Sequence, residues 1–365
     1  MFTPQGVGIT RLSTLGVWRC LRNVDEVNCP RSFFYFTQQQ INYIKYYMIM
    51  KKFLLLAVCF MMMGISASAL TINKAMLVHN GNVTLYDGDK VQDAVNASSD
   101  GDVIYLTLGT FKPFNITKRI TVRGVGETSI VDGDVNISIS GSPKLTSPVM
   151  EALAVSGTVT VKSQVDDMIL RKCKIGNFGI SAQVDGAVLD RCYITNTLTL
   201  SSFIKGMTVV NTKLYFVKAN SDATQNTTFV NCNIWGMNCN YFSATVINSI
   251  LFRACSSSGN MYTGEDYIYT LNSTVLLNSL IINHSITIGS SSVNQNCYFG
   301  SYSMDKSCEC TPNSSYVGTD GTIVGIYGGE TPYTLEPTVP KVTDSNLQLD
   351  MENKKLNVNL TVSPQ

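Results

Sequence analysis

Asp166 and Asp185 each stand seven places before a small residue, Cys173 and Cys192, and Lys205 stands seven places before Thr212. A chain that folds back on itself at this spacing stacks the three side chains on neighbouring strands, about 4.8 Å apart. Two carboxylates so placed are the chemistry of a retaining glycosidic cleavage or of half a calcium site. The plain reading of the same residues is a stack of turns between strands, where Asp is common because it hydrogen-bonds its own backbone. Other catalytic signatures are missing from the sequence. The two histidines, His79 and His284, lie far apart, which disfavours a zinc site or a histidine acid–base pair, and no GxSxG, HExxH or phosphate-binding glycine loop occurs.

Binding chemistry has a different signature. Tyr215, Trp235 and Phe252 each stand one place past an apolar residue of a recurring unit, and strand parity points them outward in a row. Flat rings in line stack on the sugars of a linear glycan. A segment near 253–270 carries Tyr262, Glu265, Asp266, Tyr267 and Tyr269. It either adds to such a ligand site or shields the rings. Arg171, Lys172, Lys174 and Arg191 form a basic group, either a seat for an acidic polysaccharide or a solvated end. Cys308 and Cys310 read as half of a disulfide arrangement with Cys239 or Cys255, not as a metal site.

The elements that must position these residues are visible as a repeat. ILRKCKI, VLDRCYI, TVVNTKL, TFVNCNI, TVINSIL, VLLNSLI and VNQNCYF align on Cys173, Cys192, Thr212, Cys232, Ser249, Ser279 and Cys297, with steps of 19, 20, 20, 17, 30 and 18 residues. Such a period fits one coil of a β-solenoid. Within each unit the small residue shares a face with the apolar residue two places later, but the other apolar residue lies three places earlier. An odd step cannot be buried on one side of a straight strand, so the chain turns between them. Asn211, Asn231, Asn248, Asn278 and Asn296 occupy that corner. Asn tolerates the left-handed backbone a corner needs, and its amide is expected to bond to its copies on adjacent coils. Leu170, Leu189, Val209, Phe229, Val246 and Leu276 form one predicted inward column. Ile175, Ile194, Leu214, Ile234, Leu251, Ile281 and Phe299 form another.

With this N-C-x-I unit and the entry segment VQDAVNASSDGDVIYLTLGTFKPFNITKRITVRGVGETSIVDG, the chain resembles the right-handed parallel β-helix proteins of pectate-lyase-like architecture. The resemblance covers roughly residues 85–300. It implies an all-β fold: a right-handed parallel β-helix with a cap helix over 91–97, whose Val91, Ala94 and Val95 cover the open N-terminal end. The same fold carries lyases, hydrolases, adhesins and spacers. Members acting on polyuronides use an acidic cluster, often with Ca2+, or an Arg or Lys base, so the resemblance leaves a polysaccharide lyase or glycoside hydrolase built on Asp166, Asp185 and Lys205 as the alternative to a non-catalytic glycan-binding adhesin or scaffold. The expectation is the latter, without cofactor or metal. The tail, with GTDGTIVGIYGG and alternating NLQLDM and LNVNLTV around Glu352-Asn353-Lys354-Lys355, reads as a C-terminal cap and β-hairpin over 318–365, similar to the ends of exported β-helix proteins of Gram-negative bacteria.

MKKFLLLAVCFMMMGISASAL, from Met50, has the grammar of an export signal: two lysines, a short apolar run and Ala67-Ser68-Ala69 before the cut. The run is shorter than the ~20 residues of a membrane span. Cys59 lies inside it after Val58, a poor setting for lipidation. Residues 1–49 show no sustained period and read as translation assigned upstream of the true start, the alternative being a cytoplasmic tail on a signal anchor. The expected mature chain, 70–365, is a solenoid over 70–317 followed by the tail, released to the periplasm, outer surface or medium. It keeps 20 Lys and Arg against 24 Asp and Glu, which disfavours nucleic acid as a partner, and eight of the eleven cysteines. N-terminal sequencing of the native protein is expected to start at Leu70, and an intact segment upstream of Leu70 contradicts cleavage.

Overall fold

The computed structural model describes residues 73–219, 227–238, 243–255, 269–271, 273–282, 286–300, 302–336, 341–350 and 355–363. Residues 71–365 form one unit apart from residues 1–70, which lie outside the described residues. The described chain is nearly all β, with one helix, and forms a parallel β-solenoid. Its strands form two 12-stranded sheets, a short third sheet of Val165–Asp166 with Val184–Asp185, and a short fourth of Tyr269–Leu271 with Ile286–Ile288. Consecutive coils contribute one strand to each large sheet, so that Leu170 lies beside Leu189, then Val209, Phe229, Val246 and Leu276. All six are fully buried, as are Ile175, Ile194, Leu214, Ile234 and Leu251 on the facing sheet. Each such side chain removed from water stabilises the fold by about 1.5–3 kcal/mol. Phe299 takes its expected place in the column but is not buried. It sits beside Ile281, yet it is 60% exposed because no further coil of the described residues lies beyond it.

The N-terminal end is closed as expected. The helix Val91–Ala97 buries Val91, Ala94 and Val95, and an antiparallel hairpin, Lys74–His79 with Asn82–Asp87, extends the first sheet beside it. At the other end of the chain, Lys341–Asp350 and Lys355–Ser363 form the expected antiparallel hairpin as a sheet of their own.

The corner explains the repeat. Asn211, Asn231, Asn248, Asn278 and Asn296 have φ of 45° to 53°, and Lys172 and Arg191 occupy the same left-handed place in earlier coils at 52°. The corner N–H still reaches a carbonyl on the next coil, Asn211 N to Val230 O at 3.0 Å and Asn231 N to Ile247 O at 3.1 Å. The residue after the small one reaches back, Lys213 N to Cys192 O and Ile250 N to Cys232 O. Only the N–H of the small residue is left over. A side chain of the next coil accepts it: Cys192 N donates to Thr212 Oγ1 at 3.1 Å, Cys232 N to Ser249 Oγ at 2.9 Å and Ser249 N to Ser279 Oγ at 3.1 Å. The N–H groups of Cys173, Thr212 and Ser279 bond to the thiols of Cys192, Cys232 and Cys297 in the same way. Each hydroxyl in turn donates two residues back, Thr212 Oγ1 to Val210 O at 2.8 Å and Ser249 Oγ to Ile247 O at 2.8 Å. The interior ladder therefore runs through the Cys, Thr and Ser column. The expected bonding between asparagine copies is replaced by bonds from Asn211, Asn231 and Asn248 to another segment.

Replacing Thr212 with Val keeps its shape but leaves the buried N–H of Cys192 without an acceptor. Urea denaturation is expected to show a loss of about 1–3 kcal/mol for Thr212→Val and a much smaller loss for Thr212→Ser. Equal losses in the two variants would contradict a role for the hydroxyl.

Candidate functional site

The aromatic row is in line but covered. Tyr215 and Trp235 stack with centroids 4.5 Å apart at 14°, and Phe252 follows at 6.3 Å. They point away from the solenoid core, as strand parity requires. Trp235 and Phe252 are nevertheless buried, in a second apolar cluster with Ile250, Leu280, Ile282, Met304, Cys308, Cys310 and Val324. The cover is a strap, 302–336, that leaves the last coil and runs back along the flank. Trp235 Nε1 donates to Met304 O at 3.2 Å and Asn233 Nδ2 to Cys308 O at 2.9 Å. The residues of the insertion, Tyr262, Glu265, Asp266 and Tyr267, lie outside the described residues, and Tyr269 opens the strand Tyr269–Leu271.

The corner asparagines hold the strap. Asn211 Nδ2 donates to Gly328 O at 2.7 Å and to Ile326 O at 3.2 Å, Asn231 Nδ2 to Asp320 Oδ2 at 3.4 Å, and Asn248 exchanges bonds with Thr319. Lys213 pairs with Glu309, whose other oxygen accepts from Tyr327 Oη at 2.7 Å. Gly325, at φ 91°, passes where a Cβ would stand 2.7 Å from Ile250, which accounts for a glycine in this part of the tail. Cys308 and Cys310, on the strap itself, are free thiols buried against the flank, so the expected disulfide half is not formed. Burial pushes the Cys308 thiol up to about 12. Cys239 and the side chain of Cys255 lie outside the described residues. Cys173, Cys192 and Cys232 are likewise free and fully buried, and burial holds the Cys232 thiol at about 12, where it is a hydrogen-bonding group and not a nucleophile.

The basic residues are neither an open patch nor a solvated end. Arg171 and Arg191 both bind Asp190, at 2.9 and 2.8 Å, Lys174 binds Glu127 at 2.7 Å, and the buried Lys172 donates to Glu336 O in the strap at 2.8 Å. Along one outward column of the first sheet, Tyr105, Arg123, Glu151, Arg171 and Asp190 follow one another, alternating in charge after the ring. Arg123 binds Glu151 at 2.6 Å. Burial raises the Asp190 carboxyl, but its hydrogen bonds and charge contacts with Arg191 and Arg171 outweigh that and hold it below the usual range.

Asp166, Asp185 and Lys205 do come together. Asp166 lies beside Asp185 in the third sheet, and parallel bridges extend the column to Lys144 on one side and, from Val184 to Ile204, to Lys205 on the other. Val165, Val184 and Ile204 anchor it from inside, each 1% exposed or less. In the outward column beside it stand Gln164, Gln183 and Phe203, the last 47% exposed. Lys144 turns to Asp167 at 2.9 Å, while Asp166, Asp185 and Lys205 enter no ion pair among the described residues. The result is a solvent-facing strip four coils long, with a carboxylate pair in the middle, a lysine at each end and amides and a ring alongside. Gln164, Gln183 and Phe203 were findable, since each lies nine places before its small residue. Lys144 was not, because its coil lacks the N-C-x-I unit. Among the described residues no group of three or more His, Cys, Asp and Glu is arranged to hold a metal ion, and no helix is long and apolar enough to cross a membrane. No family model, curated protein or solved structure matches the chain.

The Asp190 contribution has a definite sign. A carboxyl lowered by its arginines stabilises the fold above its unfolded-state pKa and loses that contribution as pH falls through its folded-state value. Thermal melts from neutral pH to below 4 are therefore expected to show a smaller acid loss in Asp190→Asn than in the wild type. At neutral pH the variant is expected to be about 1–3 kcal/mol less stable, the cost of leaving charged donors partly unpaired. An unchanged acid response would contradict the pairing.

Proposed function

We propose that this protein is an exported, non-catalytic scaffold that binds a glycan along the strip formed by Lys144, Asp166, Asp185 and Lys205 with Gln164, Gln183 and Phe203. The observation that carries the reading is the in-register alignment of these side chains on adjacent coils of a rigid wall. Carboxylates and amides are the groups that hydrogen-bond sugar hydroxyls, and an exposed ring beside them offers a stacking face. Strands place such groups more firmly than loops do. Coils repeat every ~4.8 Å, so the strip presents a linear, periodic surface to a linear, periodic ligand. The row Tyr215, Trp235 and Phe252 serves instead as the apolar bed of the strap.

The same stacked pair, Asp166 and Asp185, favours a second reading as a polysaccharide lyase or glycoside hydrolase acting on acidic polysaccharide, with Lys205 as a base and Ca2+ admissible only here. A panel of soluble polysaccharides separates the two. Binding without release of sugars is expected. The Phe203→Ala variant is expected to bind about tenfold or more weakly, Asp185→Asn to bind more weakly than the wild type, and an edge variant such as Leu85→Lys to bind normally. New reducing ends or unsaturated products, lost in Asp185→Asn, would replace binding with catalysis. No binding to any member would sink the proposal.

A further inference from the structure

The two ends of the solenoid differ. The N-terminal end carries the helix and a hairpin whose strands bear the Lys74–Asp87 ion pair. At the C-terminal end, Val293–Gln295 and Tyr298–Gly300 close the two large sheets, each paired on one side only among the described residues. Phe299, in the core column, is 60% exposed there, and Val293 is 53% exposed. Asn294 stands where Leu276 stood one coil earlier, followed by Gln295 and Asn296. No Lys, Arg, Asp or Glu occurs from Ile286 to Met304. Proteins ordinarily protect a free strand edge with charge, proline or a covering element, and this edge has an uncharged, Asn- and Gln-bearing sequence of the kind that pairs with other strands.

We propose that this last coil is where two copies of the chain meet tail to tail. A two-fold axis normal to the solenoid brings Val293–Gln295 against its own copy in antiparallel pairing, lets the Asn and Gln amides bond across the axis and covers Phe299 with its counterpart. An edge without charge meets its copy without repulsion. The chain's own tail is a poor occupant. The strap leads away from this end, and Glu336 rests on Lys172, six corners before Asn296. That separation is about 29 Å at ~4.8 Å per coil. The tail hairpin begins at Lys341, five residues after Glu336, within at most about 18 Å of it. It therefore starts at least about 11 Å short of the last coil.

Sedimentation equilibrium of the purified chain at micromolar concentration tests this. The wild type is expected at twice the chain mass. Val293→Lys and Phe299→Lys, both at exposed positions, are expected to raise the dissociation constant about 100-fold or more while leaving circular dichroism unchanged. Leu85→Lys, on the exposed N-terminal edge strand, is expected to leave the dimer intact. A monomeric wild type, a dimer indifferent to both C-terminal variants, or open-ended assemblies broken by Leu85→Lys would overturn the proposal. The last outcome would mean head-to-tail stacking, and a monomer that pairs only with a foreign strand would reassign the edge to another partner.

Discussion

A left-handed corner within each coil sets the terms for the rest of the molecule. It lets two apolar columns three residues apart both face inward, and it leaves one N–H per coil without a carbonyl. A buried N–H without a partner costs about 1–3 kcal/mol, so the next coil must supply an acceptor at that point. In the coils that carry the N-C-x-I unit that acceptor is a short polar side chain, Cys, Thr or Ser, whereas one coil earlier Leu153 occupies the same place. Each of these groups accepts from the coil before it and donates to its own chain two residues back. The ladder thus couples each coil that carries the N-C-x-I unit to its neighbour through the core side of the corner.

On the outer side the same corner does something else. Because a left-handed residue turns its side chain away from the core, Asn211, Asn231 and Asn248 are free to bind a segment remote in sequence. They bind the strap, and with Lys172 and Lys213 they fix 302–336 along the flank. The strap in turn hides the aromatic row that would otherwise be a large exposed apolar patch. What remains open is the third face, where turns between strands leave polar side chains in file, and the last coil, where no further rung covers the core.

The inward columns and the corner were legible in the sequence because both repeat with a fixed offset and each has one physical explanation. The cap helix was legible because Val91, Ala94 and Val95 share a face at helical spacing. Two things were not. An outward residue such as Trp235 satisfies strand parity whether water or a strap lies over it, and parity carries no information about a segment seventy residues away. The corner amides likewise have two chemically equal sets of partners, their own copies or a passing backbone, and only the path of the tail decides between them. At the candidate strip the carboxylates were found by offset, whereas Lys144 lies in a coil whose corner is Ala152 and whose next residue is Leu153, outside the motif.

The dependence of the fold on the side-chain ladder can be read directly from amide hydrogen exchange. The N–H groups of Cys192, Cys232 and Ser249 have no carbonyl partner in the sheets, so their protection reports the hydroxyl acceptors alone. They are expected to exchange as slowly as the sheet amides of Lys213 and Ile250 beside them. Exchange of these three at the rate of unprotected loop amides, with the neighbouring sheet amides still protected, would contradict the ladder and with it the reason for the Cys, Thr and Ser column.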